Sequence, residues 1–212
     1  ISAGNEFAFN SATTNGGAVY SLGPAGEDAN SALILYGDYL HDNSAGHQGG
    51  AIHAVGMDEV AIAVSSVIQN YSTTLGALSF ALNAEASVVG NTIAYNDSGA
   101  AWSALVLNST GYNDVVMQNT FMSNYPDSDA LYPYAVGLLS SSYSVSVGGN
   151  IFASADSTEE QIQAMNPQID LGANLVTGPV TSIGPGNIPS YPAPLAGGSA
   201  MVEWADLDLQ SP

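Results

Sequence analysis

The side chains best suited to chemistry in this sequence include three evenly spaced histidines. His41, His47 and His53 follow one another at intervals of six residues. Neutral imidazole is a common ligand for transition metals, so a metal site is one hypothesis. Residues spaced in this way need not converge in a fold, and a purely structural role is the alternative. The sequence alone leaves metal binding open.

Four acids provide a second candidate for chemistry. Asp38, Asp42, Asp58 and Glu59 are the nearest approach to a carboxylate cluster. Glycoside hydrolases use two such groups, one to protonate the leaving oxygen and one to activate water or attack the sugar. The alternative is that these acids are solvated turn residues. No catalytic residue is therefore assigned, and a polysaccharide-acting enzyme remains the alternative function.

The charge balance excludes several classes of partner. The 212 residues include no Lys or Arg and 19 Asp plus Glu, for a formal net charge of −19. Nucleic acids and anionic lipids are both bound mainly through cationic side chains, so neither is expected as a partner. No cofactor is predicted, although Asp and Asn at turns leave calcium as a candidate ion. No apolar stretch reaches the roughly 20 residues of a transmembrane helix.

A repeated phrase, an apolar residue three positions before an asparagine, organises the chain. It occurs at Phe7–Asn10, Leu40–Asn43, Val67–Asn70, Ile93–Asn96 and Phe121–Asn124. The steps between the asparagines are 33, 27, 26 and 28 residues. A period of this size is typical of a solenoid.

Short β-branched runs precede each phrase, and turns rich in Ser, Asn, Asp and Gly follow it. The runs are Leu33–Tyr36, Ala61–Val64, Val88–Val89, Val115–Met117 and Val145–Val147. With the apolar stretch after each turn, they predict three short strands per repeat. We therefore expect an all-β, right-handed parallel β-helix of about five to six coils, each strand pairing with its equivalent one coil away.

The repeated asparagines are predicted to form a structural ladder inside one corner of this solenoid. A side-chain amide has two donors and an acceptor, and asparagine favours turns. Stacked amides could bond one another and the corner backbone. The predicted ladder contains Asn10, Asn43, Asn70, Asn96 and Asn124.

The repeats predict a boundary near residue 156. Residues 1–156 form the predicted β-helix, and residues 157–212 a C-terminal capping or assembly segment rich in Gly and Pro. The capping-box pattern Ser157–Glu160 predicts a short helix over Glu159–Met165. Further on, an alternating apolar stretch could pair with another molecule's first coil and build head-to-tail filaments. Its apolar residues are Met201, Val202, Trp204, Leu207 and Leu209.

The first two repeats carry the residues of a family resemblance. Phe7–Asn10 with Gly16–Val19, and Leu40–Asn43 with Gly49–Ile52, resemble the repeats of chlamydial polymorphic outer-membrane proteins. They are also similar to right-handed parallel β-helix repeats of bacterial cell surfaces more broadly. The resemblance implies a secreted or surface-displayed protein, often adhesive. We therefore expect an extracellular or cell-surface, non-catalytic structural protein whose partner is itself or a surface glycan or protein.

Aromatic residues offer a possible binding platform for such a partner. They are concentrated in the long turns of the fourth and fifth repeats, at Trp102, Tyr125, Tyr132, Tyr134 and Tyr143. Amphipathic rings of this kind are suited to sugar or protein surfaces. The alternative is that the rings pack locally over the solenoid.

Overall fold

The fold is a stack of parallel β coils. A computed structural model of the chain describes residues 1–24, 31–100, 102–110, 114–126, 134–139 and 145–153, and within the C-terminal part 162–164, 169–171, 174–176 and 181–182. No helix in this described part has the length and apolar character needed to cross a membrane.

The first three coils contain four short strands each. Coil 1 comprises β1 (Ser2–Ala3), β2 (Glu6–Ala8), β3 (Ser11–Ala12) and β4 (Val19–Leu22). Coil 2 comprises β5 (Ala32–Tyr36), β6 (Tyr39–His41), β7 (Ser44–Ala45) and β8 (Ile52–Val55). Coil 3 comprises β9 (Glu59–Ala63), β10 (Ser66–Ile68), β11 (Tyr71–Ser72) and β12 (Leu78–Ala81).

The same order of strands continues beyond coil 3. Coil 4 comprises β13 (Glu85–Val89), β14 (Thr92–Ala94), β15 (Asp97–Ser98) and β16 (Leu105–Asn108). Coil 5 comprises β17 (Asp114–Met117), β18 (Thr120–Met122), β19 (Tyr125–Pro126) and β20 (Val136–Leu138). The remaining described strands are β21 (Val145–Gly148), β22 (Ile151–Ala153), β23 (Ile162–Ala164), β24 (Ile169–Leu171), β25 (Leu175–Val176) and β26 (Thr181–Ser182).

Each strand of a coil pairs with its equivalent in the next coil, which generates four parallel sheets. Sheet A runs β1-β5-β9-β13-β17-β21-β24, and sheet B runs β2-β6-β10-β14-β18-β22-β25. Sheet C contains β3, β7, β11, β15 and β19, and sheet D runs from β4 through β8, β12, β16, β20 and β23 to β26. This topology confirms the predicted all-β parallel solenoid.

The apolar residue of the repeated phrase is the middle residue of the first five strands of sheet B, and it points into the solenoid. In register these residues are Phe7, Leu40, Val67, Ile93 and Phe121, and Phe152 occupies the equivalent position in β22. From Leu40 onward each is fully buried, and Phe7 packs against the core at its end. The alternation of the strand therefore sends one residue of three inward.

Two sequence predictions about secondary structure need correction. A repeat has four strands rather than three, because the two-residue strands of sheet C are too short to show an alternating pattern. Ile162–Ala164 forms a strand of sheet D, paired in parallel with β20, so the helix predicted over residues 159–165 is not formed at these three residues. A continuing sheet edge supplies hydrogen bonds to this segment, which overrides its local capping signal.

Removing an inward ring should be far more costly than removing an outward side chain on the neighbouring strand. The Phe121 and Phe152 rings stack with centroids 4.8 Å apart. We expect Phe121→Ala to lower the free energy of unfolding by about 3–5 kcal/mol, because it opens a cavity in the core. Ile151→Ala, an outward residue 38% exposed, is the control and should change it by less than about 0.5 kcal/mol. Urea unfolding measures both, and equal losses would contradict the assigned strand faces.

Candidate functional site

The corner between sheets B and C is built from two residues in each of the first five coils. The first residue has a left-handed backbone, with φ between 48° and 56° at Phe9, Asp42, Gln69, Tyr95 and Ser123. Such a conformation costs a non-glycine residue about 1–2 kcal/mol. The second residue is always the asparagine of the repeated phrase. The backbone conformation of the corner thus costs free energy, which the hydrogen bonds of the asparagine must offset.

These asparagines stack into a continuous amide ladder. Oδ1 of Asn43 accepts hydrogen bonds from both the backbone N–H and Nδ2 of Asn10, at 3.0 and 2.9 Å. The same pair of hydrogen bonds joins Asn43 to Asn70, Asn70 to Asn96 and Asn96 to Asn124. All but the first, Asn10, are buried. The structure therefore brings together all five predicted ladder residues.

The second Nδ2 hydrogen of each buried ladder amide also has a partner. It is donated to the carbonyl of the inward apolar residue one coil earlier, as from Asn43 to Phe7 and from Asn70 to Leu40. Asn96 and Asn124 repeat the contact with Val67 and Ile93. Both donors and the acceptor of the amide are thus used, and the side chain connects a strand of the core to the corner.

A second ladder, which the sequence analysis missed, lines the corner between sheets A and B. Oδ1 of Asn119 accepts from the backbone N–H and Nδ2 of Asn91, and Asn150 and Asn174 continue the series. In coils 3 and 2 the residue at this ladder position is Ser65 and Asp38, respectively. The signal that could have revealed this second ladder is a residue with a left-handed backbone just before each ladder position, as in Gly90-Asn91 and Gly149-Asn150.

Two buried carboxylates also accept hydrogen bonds between coils, Asp38 at this corner and Asp114 at the start of β17 in sheet A. Asp38 Oδ1 accepts from the Asn5 N–H at 2.7 Å and the Ser2 hydroxyl at 3.0 Å. Asp114 accepts from the Ala86 N–H at 2.9 Å and from the Ser109 hydroxyl. Burial raises the pKa of Asp114 above the usual range of an aspartic acid. Both acids serve as backbone acceptors between coils.

His41 joins coil 1 to coil 2 through two carboxylates. Its Nδ1 lies 2.7 Å from Asp42 and its Nε2 lies 2.8 Å from Glu6, while the ring stacks on Tyr39 at 4.1 Å. A neutral imidazole has one N–H and could donate to one carboxylate only, whereas the imidazolium donates to both. The hydrogen bonds that the ring donates to Asp42 and, as the next largest cause, to Glu6 raise the pKa of His41 above 6.5.

His53 has the opposite environment. It lies in the outward row of sheet D, stacks on Tyr20 and has Nδ1 3.1 Å from the Ser79 hydroxyl. Burial lowers the pKa of His53 below 6.5. A serine beside a neutral histidine is the pairing of a nucleophile and its base. Both side chains are buried, at 4% and 2% exposed, so substrate has no access to the pair as it stands.

The structure separates the residues that the sequence grouped as candidates for chemistry. His41 is in sheet B, His53 is in sheet D and His47 lies between β7 and β8. Asp38, Asp42 and the Asp58-Glu59 pair occupy three different corners of the coil. Among the described residues, no group of three or more His, Asp or Glu is arranged to hold a metal ion.

The aromatic platform is only partly described, and its described rings are buried. Trp102 and Tyr134 pack against Val106 outside sheet D, with Leu75 and Leu139 beside them. Tyr125 belongs to β19, while Tyr132 and Tyr143 lie outside the described residues. Local packing, the alternative to an exposed platform, therefore holds for Trp102 and Tyr134. The five predicted assembly residues of the tail also lie outside the described part.

Comparison of the chain with protein-family models, with curated proteins and with solved structures finds no match.

Removing one ladder amide should destabilise the fold. Asn70→Ala leaves the donors of Asn43 and the carbonyl of Leu40 without their buried partner. We expect the free energy of unfolding to fall by about 1–3 kcal/mol. The exposed Asn108, at the end of β16, provides the control, and Asn108→Ala should have little effect. Chemical denaturation that ranks the two variants equally would contradict the ladder.

The two histidines should give stability opposite dependences on pH. Because the folded-state pKa of His41 is raised, its contribution is complete below the unfolded value, 6.5, and is lost as pH rises through the folded pKa. Because that of His53 is lowered, its contribution is present above 6.5 and is lost as pH falls through the folded pKa.

Matched glutamine variants separate these two effects. Urea midpoints measured from about pH 5 to pH 9 should lose their alkaline decline in His41→Gln and keep it in His53→Gln. The acidic decline should be reduced only in His53→Gln. An alkaline decline that persists unchanged in His41→Gln would show that the Glu6–His41–Asp42 contact does not bind a proton more tightly in the folded state.

Proposed function

We propose that this protein is a non-catalytic structural or adhesive β-solenoid that functions outside the cell. In this proposal it is displayed on a cell surface or joined head to tail into filaments. Its partner is either another copy or a surface glycan or protein. The parallel solenoid gives the fold, and the use of its polar groups supports the role.

The observation that carries the proposal is that the buried ladder asparagines and the buried acids Asp38 and Asp114 form hydrogen bonds between coils. The ladder amides bond one another and core carbonyls, and Asp38 and Asp114 accept backbone N–H groups between coils. A buried amide or acid committed in this way stabilises the coil stack and has no free lone pair or proton aimed at a substrate. Such an arrangement suits a rigid scaffold.

The exposed faces provide surface for adhesion. Large apolar side chains stand outward on sheets A to C and their corners, including Tyr36, Tyr39, Tyr71 and Tyr95. Exposed tyrosines can stack on sugars or fill protein interfaces, since each has an apolar ring and a polar tip. Their positions on a rigid stack fix the spacing between them.

The alternative, a polysaccharide-acting enzyme, requires two carboxylates on either side of a glycosidic bond. The acids that sequence analysis grouped lie at separate corners, and Asp38 is buried with its oxygens bonded. This placement is the reason that we favour a non-catalytic function.

Turnover and binding measured side by side test the proposal. The purified chain is incubated with pectin, polygalacturonate, xylan and cellulose, and reducing ends are counted against a heat-denatured sample. The same preparation is applied to a glycan array and to immobilised extracellular-matrix proteins. We expect retention on a surface ligand without release of reducing ends. Release that depends on the folded chain and disappears in Asp42→Asn would favour the enzyme.

A further inference from the structure

Three copies of a short acceptor pattern occur in the chain, and the solenoid places them in different environments. The pattern is an asparagine followed two residues later by serine or threonine, with no proline between, and it is the acceptor for N-linked sugars. It occurs at Asn70–Ser72, Asn96–Ser98 and Asn108–Thr110. All three copies lie in the described parts of coils 3 and 4. The fold therefore decides which of these amides a sugar can reach.

Two of the three acceptor amides belong to the ladder and are buried. Asn70 is 1% exposed and Asn96 is fully buried. Nδ2 of Asn70 donates to Oδ1 of Asn96 and to the carbonyl of Leu40. Nδ2 of Asn96 donates in the same way to Asn124 and to the carbonyl of Val67.

A sugar attached to either ladder amide is incompatible with the folded corner. The linkage replaces one of the two hydrogens of Nδ2, so one of its two hydrogen bonds is lost. The sugar ring also needs a volume that a close-packed interior does not provide. The folded chain therefore excludes modification of Asn70 and Asn96.

The third acceptor amide lies on the outside of sheet D. Leu105 and Leu107 of β16 are fully buried, so the alternation of the strand turns Val106 and Asn108 outward. Val106 is covered by the aromatic cluster outside sheet D, whereas Asn108 is exposed. Thr110, which supplies the hydroxyl of the pattern, is exposed as well.

The surroundings of Asn108 leave room for a bulky group. Its neighbour in the register of sheet D is Ala81, whose side chain is a single methyl. The next residue, Leu82, donates its N–H to the Asn108 carbonyl at 2.8 Å, so the backbone at this point is fixed while the amide stays outside. Leu82 is itself 58% exposed, and a sugar on Asn108 would lie beside it.

We propose that Asn108 is an attachment site for an N-linked sugar and that the ladder excludes Asn70 and Asn96 from the same modification. The proposal rests on the function outside the cell proposed above, because N-linked sugars are typical of the surfaces of secreted proteins. It adds a covalent sugar to the D–A side of a scaffold that is otherwise built from the polypeptide alone.

The modification is a group transfer from a sugar activated as a diphosphate ester, carried by a nucleoside or a polyprenyl lipid. Nδ2 of Asn108 forms a bond to C1 of the sugar, and the bond from C1 to the diphosphate oxygen breaks. The diphosphate leaves with the electron pair of that bond, and Nδ2 releases one proton. The product keeps one amide N–H and its carbonyl oxygen.

A soluble N-glycosyltransferase with UDP-glucose tests the site on the full chain. The chain is produced without sugar, and synthetic peptides of residues 66–76, 92–102 and 104–112 are used to set conditions under which all three patterns react. Under those conditions we expect the folded chain to gain a single hexose by intact mass. Fragmentation mass spectrometry should place this hexose on Asn108.

Matched variants separate the acceptor pattern from the fold. Thr110→Ser keeps the pattern and should still gain the hexose, whereas Thr110→Ala keeps Asn108 but removes the pattern and should gain none. Asn108→Gln should also gain none. Circular dichroism confirms that each variant is folded. The hexose-bearing chain should retain the urea midpoint of the unmodified chain, because the amide of Asn108 points outward.

Two results would overturn the proposal. A folded chain that leaves Asn108 unmodified, under conditions where the peptide of residues 104–112 reacts, removes the attachment site. A hexose on Asn70 or Asn96 in a chain that keeps its circular dichroism and urea midpoint contradicts the exclusion by the ladder. Neither result affects the structural function, which fails separately if the folded chain releases reducing ends from a polysaccharide.

Discussion

The amide ladder is the interaction on which this solenoid depends. A corner of two residues turns the chain sharply only because its first residue adopts a left-handed backbone, which Phe9, Gln69 and Tyr95 do without being glycine. At the buried ladder positions, the asparagine that follows offsets this cost by three hydrogen bonds, as Asn70 does with two from Asn43 and one to the carbonyl of Leu40. Each amide therefore fixes turn, register and core strand together.

The composition of the chain makes hydrogen bonding through neutral amides necessary. Without Lys or Arg, a carboxylate has no strong side-chain cation to pair with, and surface ion pairs of the usual kind are excluded. The described acids use backbone N–H groups and hydroxyls instead, as Asp38 and Asp58 do. Burial disfavours the charged form of a carboxyl group, and the pKa of Asp114 is raised mainly for this reason, although hydrogen bonds from Ser109 and Ala86 oppose the shift.

His41 is the exception that the geometry allows. It contacts two carboxylates at once, and one of them, Glu6, belongs to the first coil, so the imidazole connects the first coil to the second. Because these contacts raise the pKa of His41, the imidazole holds its proton more tightly in the folded chain than in the unfolded chain. The stability of the contact between coils 1 and 2 is thereby tied to the protonation of one imidazole.

The sequence predicted the features that repeat in residue type and missed those that repeat only in conformation. The corner after Phe7, Leu40 and Val67 was visible because asparagine recurs without exception. The ladder at the corner between sheets A and B was not visible in the sequence, because Asp38, Ser65 and Asn91 accept equivalent hydrogen bonds with different side chains. The helix predicted across Ile162–Ala164 failed for a related reason: a local capping pattern cannot register the edge of a sheet built by residues far away in sequence.

The candidate chemistry depended on where the coil turns. The spacing of His41, His47 and His53 left open whether they converge, and the structure separates them because the coil turns between successive sheets and places His41 in sheet B and His53 in sheet D. Of the two alternatives for the aromatic residues, an exposed platform or local packing, local packing holds for Trp102 and Tyr134. Periodicity fixes which face a strand residue takes, whereas loop residues are placed by what they cover.

The lengths of the connections show where this architecture can vary. Two residues join sheet A to sheet B, and two join B to C, at each of these corners in the first five coils. The connections on either side of sheet D range from the short Gly56–Asp58 link to the longer stretch between Leu22 and Ala32. A ladder corner tolerates no insertion, because an added residue would displace the amide from its stack, so variation is confined to the corners without a continuous ladder.

Trp102 and Tyr134 come from such connections and cover the outward face of sheet D, while the faces of sheets A and B next to the ladders keep large exposed side chains. The ladders thus determine both the constant cross-section that lets one coil succeed another and the side of the solenoid on which additional structure accumulates.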